Sequence, residues 1–100
     1  MKRKKTDRPG LAEFTLGNMS ATPGALKAIS DAGETPLAYF ARHARGDWGE
    51  VCKEDWAENE LSLAHGYRVL SSYHTSAGEK LWVITEADRS ATTILLPEEY

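Results

Sequence analysis

A single cysteine, Cys52, stands in a chain of 100 residues, which excludes an internal disulfide framework and any metal centre built from cysteines alone. Histidine is nearly as scarce. His43, His65 and His74 form no His-x3-His or His-Glu-x-x-His pattern, so no metal site is expected. His43 and His65 read as surface residues in last helical turns, where positive charge is favoured. No apolar run reaches the roughly 18 residues that span a bilayer, and the N-terminal residues lack the apolar stretch of a signal peptide. A cytoplasmic location without membrane contact is expected. Neither a glycine-rich oxyanion loop nor a Gly-x-Ser-x-Gly elbow adjoins Ser71 or Ser72, and no cofactor is expected.

Basic charge is also short, and unevenly spread. Residues 1–10 hold Lys2, Arg3, Lys4, Lys5 and Arg8 against Asp7 alone, whereas residues 11–100 carry seven basic and fourteen acidic side chains, a balance of −7. The division predicts a basic, disordered leader over 1–10 and a single acidic domain over 11–100. Nucleic-acid contact is expected only through that leader, because readers of nucleic acid show a basic face. An acidic body suits a basic protein partner better.

The remainder, 41% hydrophobic and 27% charged, is ordinary for a small globular α+β protein. Phe14-Thr15-Leu16 before Gly17 alternates as an edge strand would. Thr22-Pro23 reads as an N-cap with proline at the first helical position, and Gly33 as the stop of that helix. Thr35-Pro36 and Gly46 repeat the punctuation, so the two helices are expected to form an αα-hairpin. Gly46-Asp47-Trp48-Gly49 is a turn that places the indole. A third helix is expected over Val51–His65, ended by Gly66, with Cys52, Trp56, Ala57, Leu61, Leu63 and Ala64 on its core arc. Glu60 falls inside that arc and Asn59 at its edge. From Tyr67 to Leu96 the period changes to two, predicting a three-stranded antiparallel meander with turns at Ser76-Ala77-Gly78 and Asp88-Arg89-Ser90. Strands two and three are apolar on both faces, and helices cover only one, so the second face needs the N-terminal segment, a protein partner or a second copy.

Few residues stand out for chemistry. Cys52, among Glu50, Glu54 and Asp55, reads as packing. Six acids lie between Asp47 and Glu60, mostly on a solvated helix face; Glu60 needs a cation, with Arg42, Arg45, Arg68 and Arg89 as candidates. Glu86 and Arg89 are expected to pair across the second turn. Asp47, Trp48, Tyr73, Trp82, Glu86, Asp88 and Arg89, beside Arg68 and His74, make the candidate binding set. His43, Glu60, Arg68, Tyr73 and Arg89 make an alternative set of acid, base and phosphate ligands.

The segments Ala21-Thr22-Pro23-Gly24-Ala25-Leu26, Arg42-His43, Gly46-Asp47-Trp48-Gly49, Asp55 with Asn59-Glu60, Leu70-Ser71-Ser72-Tyr73, Trp82 to Ser90 and Thr92 to Tyr100 together carry a resemblance. Over residues 14–100 the chain resembles a widespread family of short uncharacterised bacterial proteins that occur beside plasmid, phage and integrative-element genes. That family has no assigned activity, so the resemblance implies a mobile-element setting and no catalytic residue. Helices followed by a meander also look like small RelE/ParE-type toxins, although the basic sheet face of those proteins is missing here. The expected function is a non-enzymatic accessory module. It would bind a protein through the sheet face and the Glu86–Arg89 turn, so that Glu86→Ala or Arg89→Ala spares the fold. The alternative is a metal-independent ribonuclease or toxin.

Overall fold

The computed structural model describes residues 14–100, and the expected leader over 1–10 lies outside the described residues. Among the described residues the fold is α+β, with three α-helices and a four-stranded mixed sheet. The order along the chain is β1 (Asn18–Ala21), α1 (Pro23–Asp31), α2 (Pro36–Ala44), α3 (Lys53–His65), β2 (Val69–His74), β3 (Lys80–Thr85) and β4 (Ala91–Leu95), followed by a 3-10 turn at Pro97–Glu99. The strands lie in the order β1-β4-β3-β2. β2, β3 and β4 pair antiparallel in sequence order, while β1 pairs parallel with β4.

The edge strand therefore forms at Asn18–Ala21, beyond Phe14–Leu16 where the apolar alternation had placed it. Those apolar side chains serve the interior instead. The Phe14 ring lies 5.3 Å from His43 and 5.9 Å from Trp48, Leu16 packs against the core, and the Leu16 carbonyl accepts the Thr92 hydroxyl at 2.7 Å. Gly17 then turns the chain at φ +68°, where a Cβ would stand 2.3 Å from the Ser90 carbonyl oxygen. Only glycine allows β1 to begin there.

Both Thr-Pro starts place helices, but the helices lean on the sheet. The principal contacts of α1 are with β4 and those of α2 with β3, where the expected αα-hairpin would have packed them on each other. Ala25 and Ile29 from α1, Tyr39 and Phe40 from α2, and Tyr73, Leu81, Val83 and Ile94 from the sheet form the core. The register aligns Tyr73 with Leu81 and Val83 with Ile94, so one face of the sheet carries this core. The opposite, outer face carries Leu70, Ser72, Trp82, Ile84, Thr93 and Leu95.

The start of α1 is tied to the far end of the chain. The Thr22 hydroxyl accepts the Ala25 N–H at 3.2 Å and donates to Glu99 Oε1 at 2.5 Å. Glu99 also accepts the N–H groups of Gly24 at 3.3 Å and Leu96 at 2.8 Å. These bonds, with the Thr22 hydroxyl foremost, hold the Glu99 carboxyl below its ordinary range. Thr22→Ala removes an N-cap and one of those donors. It is expected to destabilise by about 1 kcal/mol and lower Tm by about 5 °C in a thermal melt. An unchanged Tm would show that the cap contributes nothing.

α3 departs furthest from the sequence pattern. It begins at Lys53, with Cys52 as N-cap, and ends at Gly66 in the left-handed region. Its buried residues are polar, Asn59 and Ser62, with Trp56, Glu60 and Leu63 half-buried beside them. Cys52, Ala57, Leu61 and Ala64, expected on the core arc, are exposed. The reason is what α3 must cover. It lies along the outer edge of β2, whose backbone groups need hydrogen bonds more than its side chains need apolar contact. The Asn59 amide donates to the Leu70 carbonyl at 2.7 Å and accepts the Leu70 N–H at 3.1 Å. Ser72 N–H donates to the Trp48 carbonyl at 3.0 Å, and Glu50 N–H to the Ser72 carbonyl at 2.6 Å. The glycine-flanked turn makes this approach possible, since a Cβ on Gly49 (φ +77°) would lie 2.2 Å from the Ser72 oxygen.

Candidate binding surface

The residues with the greatest chemical potential lie inside the molecule. His43, expected at the surface, is fully buried. Its Nδ1 meets Ser71 Oγ at 2.5 Å and its Nε2 meets Thr85 Oγ1 at 2.8 Å. Thr85 continues to Thr92 at 2.6 Å, and Thr92 to the Leu16 carbonyl. Ser71, Thr85 and Thr92 are all on the core face of the sheet, so one chain of hydrogen bonds joins α2 to three strands and the N-terminal segment. Burial, with a smaller push from the Arg89 charge, lowers the His43 pKa to about 3. At neutral pH the ring is uncharged and both of its nitrogens are engaged.

Asp47 and Trp48, set by the Gly46–Gly49 turn, face inward as well. Asp47 is half-buried, accepts the Arg42 Nε–H at 2.8 Å and the Gly49 N–H at 3.2 Å, and is held below its ordinary carboxyl range chiefly by that guanidinium. Trp48 is fully buried and donates its indole N–H to Glu60 at 2.9 Å. That indole is the partner of Glu60, in place of the arginine expected from the sequence. Tyr73 is fully buried and donates its hydroxyl to the Asp47 carbonyl at 2.6 Å. Burial raises its pKa to about 12, and the Arg42 guanidinium lies 4.3 Å from the ring centroid.

Arg89 occupies φ +62°, the one non-glycine in that region among the described residues. Its guanidinium donates to the carbonyls of Tyr67 at 2.8 Å, Glu86 at 3.0 Å and Ala87 at 3.2 Å through one nitrogen, and of Ser62 at 3.0 Å through the other. The expected Glu86–Arg89 side-chain pair is thus replaced by a bond to the Glu86 backbone. Arg89 stitches the last turn of the sheet to the end of α3, so Arg89→Ala is expected to weaken the fold as well as any binding.

Solvent therefore sees a smaller set than the sequence suggested: Glu86 and Asp88 on the second turn, and on the outer sheet side Arg68, Lys80 and Tyr100 with parts of Leu70, Trp82 and Thr93, while Ser72, Ile84 and Leu95 of that face are buried. Asp88 accepts the Ser90 N–H at 3.0 Å, and its carboxyl is lowered by Ser90. On the outer face Trp82 is half-buried, and the Tyr100 ring stands edge-on to it at 5.9 Å. The Arg68 guanidinium lies 5.9 Å from the Tyr100 centroid. This row of cation, exposed phenol and indole crosses Leu70 and Ile84. At its far end Lys80 stands opposite His74, which bonds Glu50. Tyr100, 68% exposed, was not singled out in the sequence. A terminal tyrosine carries no periodicity, and only the antiparallel register brings it above Trp82. His65 is exposed and stacks on Tyr67.

Arg68, on the outer face, is thus separated by the sheet from His43 and Tyr73 on the core face. No group of three histidine, cysteine or acidic side chains suited to a metal occurs among the described residues. No described helix is long and apolar enough to cross a membrane. No protein-family model, curated protein or solved structure matches the chain.

Proposed function

We propose that the protein is a small, non-enzymatic interaction module that binds a protein partner through its outer sheet face and the turn from Glu86 to Arg89. The observation that carries this reading is the Arg68–Tyr100–Trp82 row on that face, adjoining the exposed carboxylates of Glu86 and Asp88. Exposed aromatics beside charge are the side chains that supply most binding energy in protein interfaces. The roles within the candidate set shift accordingly. Trp82, Glu86 and Asp88 contact the partner, joined by Tyr100 and Arg68, while Asp47, Trp48, Tyr73 and Arg89 hold the scaffold. The acidic balance favours a basic partner. The family resemblance suggests an accessory or host-interaction role around mobile elements.

A ribonuclease or toxin-like activity draws less support, because His43, Glu60, Tyr73 and Arg89 are engaged in bonds that hold the fold. A base sealed at zero exposure does not reach a substrate proton.

Tyr100→Ala and Glu86→Ala are expected to keep the wild-type circular dichroism spectrum and to lose the partner retained by the immobilised protein from lysate of its own host. Truncating an aromatic anchor commonly weakens binding by more than about tenfold. Retrieval of the same proteins by both variants as by wild type would refute the surface.

A further inference from the structure

We infer that the outer sheet face pairs with itself, so that two copies of the chain stack face to face about a two-fold axis lying across β3. The inference rests on the reading of this face as an interaction surface and names one occupant for it.

The argument begins with the outward row of β3. The two-residue period places Lys80, Trp82 and Ile84 on the outer face, and Glu86 continues the row. Lys80 and Glu86 are exposed, while Trp82 and Ile84 lie between them, half-buried and buried. The row is thus cation, indole, alkyl, carboxylate. Its charges are opposite in sign and equally far from the middle residue, Val83, and its centre is apolar. A row with that symmetry complements its own reverse.

A two-fold axis in the plane between the faces, perpendicular to β3 over Val83, reverses the strand direction. It sets Lys80 of one copy against Glu86 of the other, and by symmetry Glu86 against Lys80, as an isologous interface requires. The same rotation keeps β2 over β2. Arg68, at the Glu86 end of the sheet, then meets the His74 end of the other copy, where Glu50 bonds His74. Four charged contacts surround a centre of Trp82 and Tyr100. An apolar centre inside a charged rim is the ordinary anatomy of a protein interface. The row is about 20 Å long at the strand rise, and faces about 10 Å apart leave room for the aromatic rings to interdigitate. Edge-to-edge pairing through β2 is closed off by Asn59, Trp48 and Glu50, which already occupy its backbone groups. The face is the route left on that side of the sheet.

The test uses the purified full chain in sedimentation equilibrium at low and moderate salt, with circular dichroism as the check on folding. Wild type is expected to dimerise reversibly and more weakly as salt rises. Lys80→Glu and Glu86→Lys should each weaken the dimer by at least about tenfold, because each puts like charges together at two symmetric places. The double variant Lys80→Glu/Glu86→Lys should return to within about threefold of wild type, since it restores both pairs in the opposite sense. Tyr100→Ala should weaken the dimer without answering to the charge swap. A wild type that stays monomeric throughout, or a double variant no better than the single ones, overturns the inference. A monomer that still captures a partner through Tyr100 and Glu86 overturns self-pairing alone. A dimer rescued by the swap, with no partner captured, overturns the hetero-partner reading alone.

Discussion

Arg89→Ala is expected to destabilise the protein by about 3 kcal/mol, because it strips charge-assisted hydrogen bonds from the carbonyls of Ser62, Tyr67, Glu86 and Ala87 at once. One of those oxygens belongs to the last turn of α3, one to the α3–β2 connection and two to the β3–β4 turn. The variant should therefore loosen both segments together, visible as faster amide exchange at residues 62–68 and 86–90 than elsewhere. Backbone conformation supplies an internal control. At φ +62° an alanine retains the left-handed penalty of a Cβ, whereas a glycine does not. Arg89→Gly should accordingly be about 1 kcal/mol more stable than Arg89→Ala in urea denaturation, although it loses the same guanidinium. Equal stability of the two would mean that the turn relaxes out of the left-handed region. Arg89→Lys should resemble the alanine variant, since one ammonium does not span four carbonyls on two segments.

The second large effect is a dependence on acidity centred on His43. Its folded pKa, about 3, lies below the ordinary value of 6.5. Above pH 6.5 the ring is neutral in both folded and unfolded chains and adds no pH dependence. As pH falls below 6.5 the unfolded chain takes up a proton that the folded chain refuses, so stability declines until the folded pKa is reached. The loss between pH 7 and pH 5 is about 2 kcal/mol. Glu34, Asp47, Asp88 and Glu99, with carboxyls held below ordinary values of 4.5 or 3.8, add their own losses only at lower pH. The decline from pH 6.5 to about 4.5 is therefore the signature of the histidine. His43→Gln is expected to abolish it in urea titrations at a series of pH values, and to cost about 2 kcal/mol at pH 7 because Ser71 and Thr85 lose a well-placed partner. A wild-type curve flat from pH 7 to pH 5 would contradict the neutral buried ring.

What the sequence made legible divides along physical lines. Thr22-Pro23, Thr35-Pro36, Gly33 and Gly66 mark helix ends because capping is local chemistry, written within four residues of where it acts. The period of two after Gly66 marks strands because the core face repeats on it. α3 defeated the same method. Its apolar arc was read as the core face, but Asn59 faces the sheet to complete the hydrogen bonding of an edge strand, a need that no helical wheel contains. His43 was misplaced for a related reason. A histidine in a last helical turn looks solvated until Ser71, Thr85 and Thr92 are seen on one face of the sheet, and their matching polarity at inward positions was the available signal. Trp48 and Tyr73, expected in the binding set, are fully buried beside the turn at Gly46–Gly49. Of the candidate site, Trp82, Glu86 and Asp88 remain exposed or half-exposed because they sit on the outer row and at its end, a placement that depends only on strand alternation.

The parallel pairing of β1 with β4 has a consequence for how the chain is made. Ser20 and Thr93 touch across 73 residues of sequence, and Thr22 and Glu99 across 77. Closing a loop of that length costs about 2 kcal/mol more entropy than closing a five-residue hairpin. On the ribosome, β1 leaves the exit tunnel before the other described elements and finds its partner last, after α1, α2, α3 and the β2–β4 hairpins have been synthesised. Until then the N-cap of α1 lacks Glu99 and the sheet lacks an edge. The first described strand therefore waits for the last, and the slowest folding step among the described elements should be this β1–β4 closure.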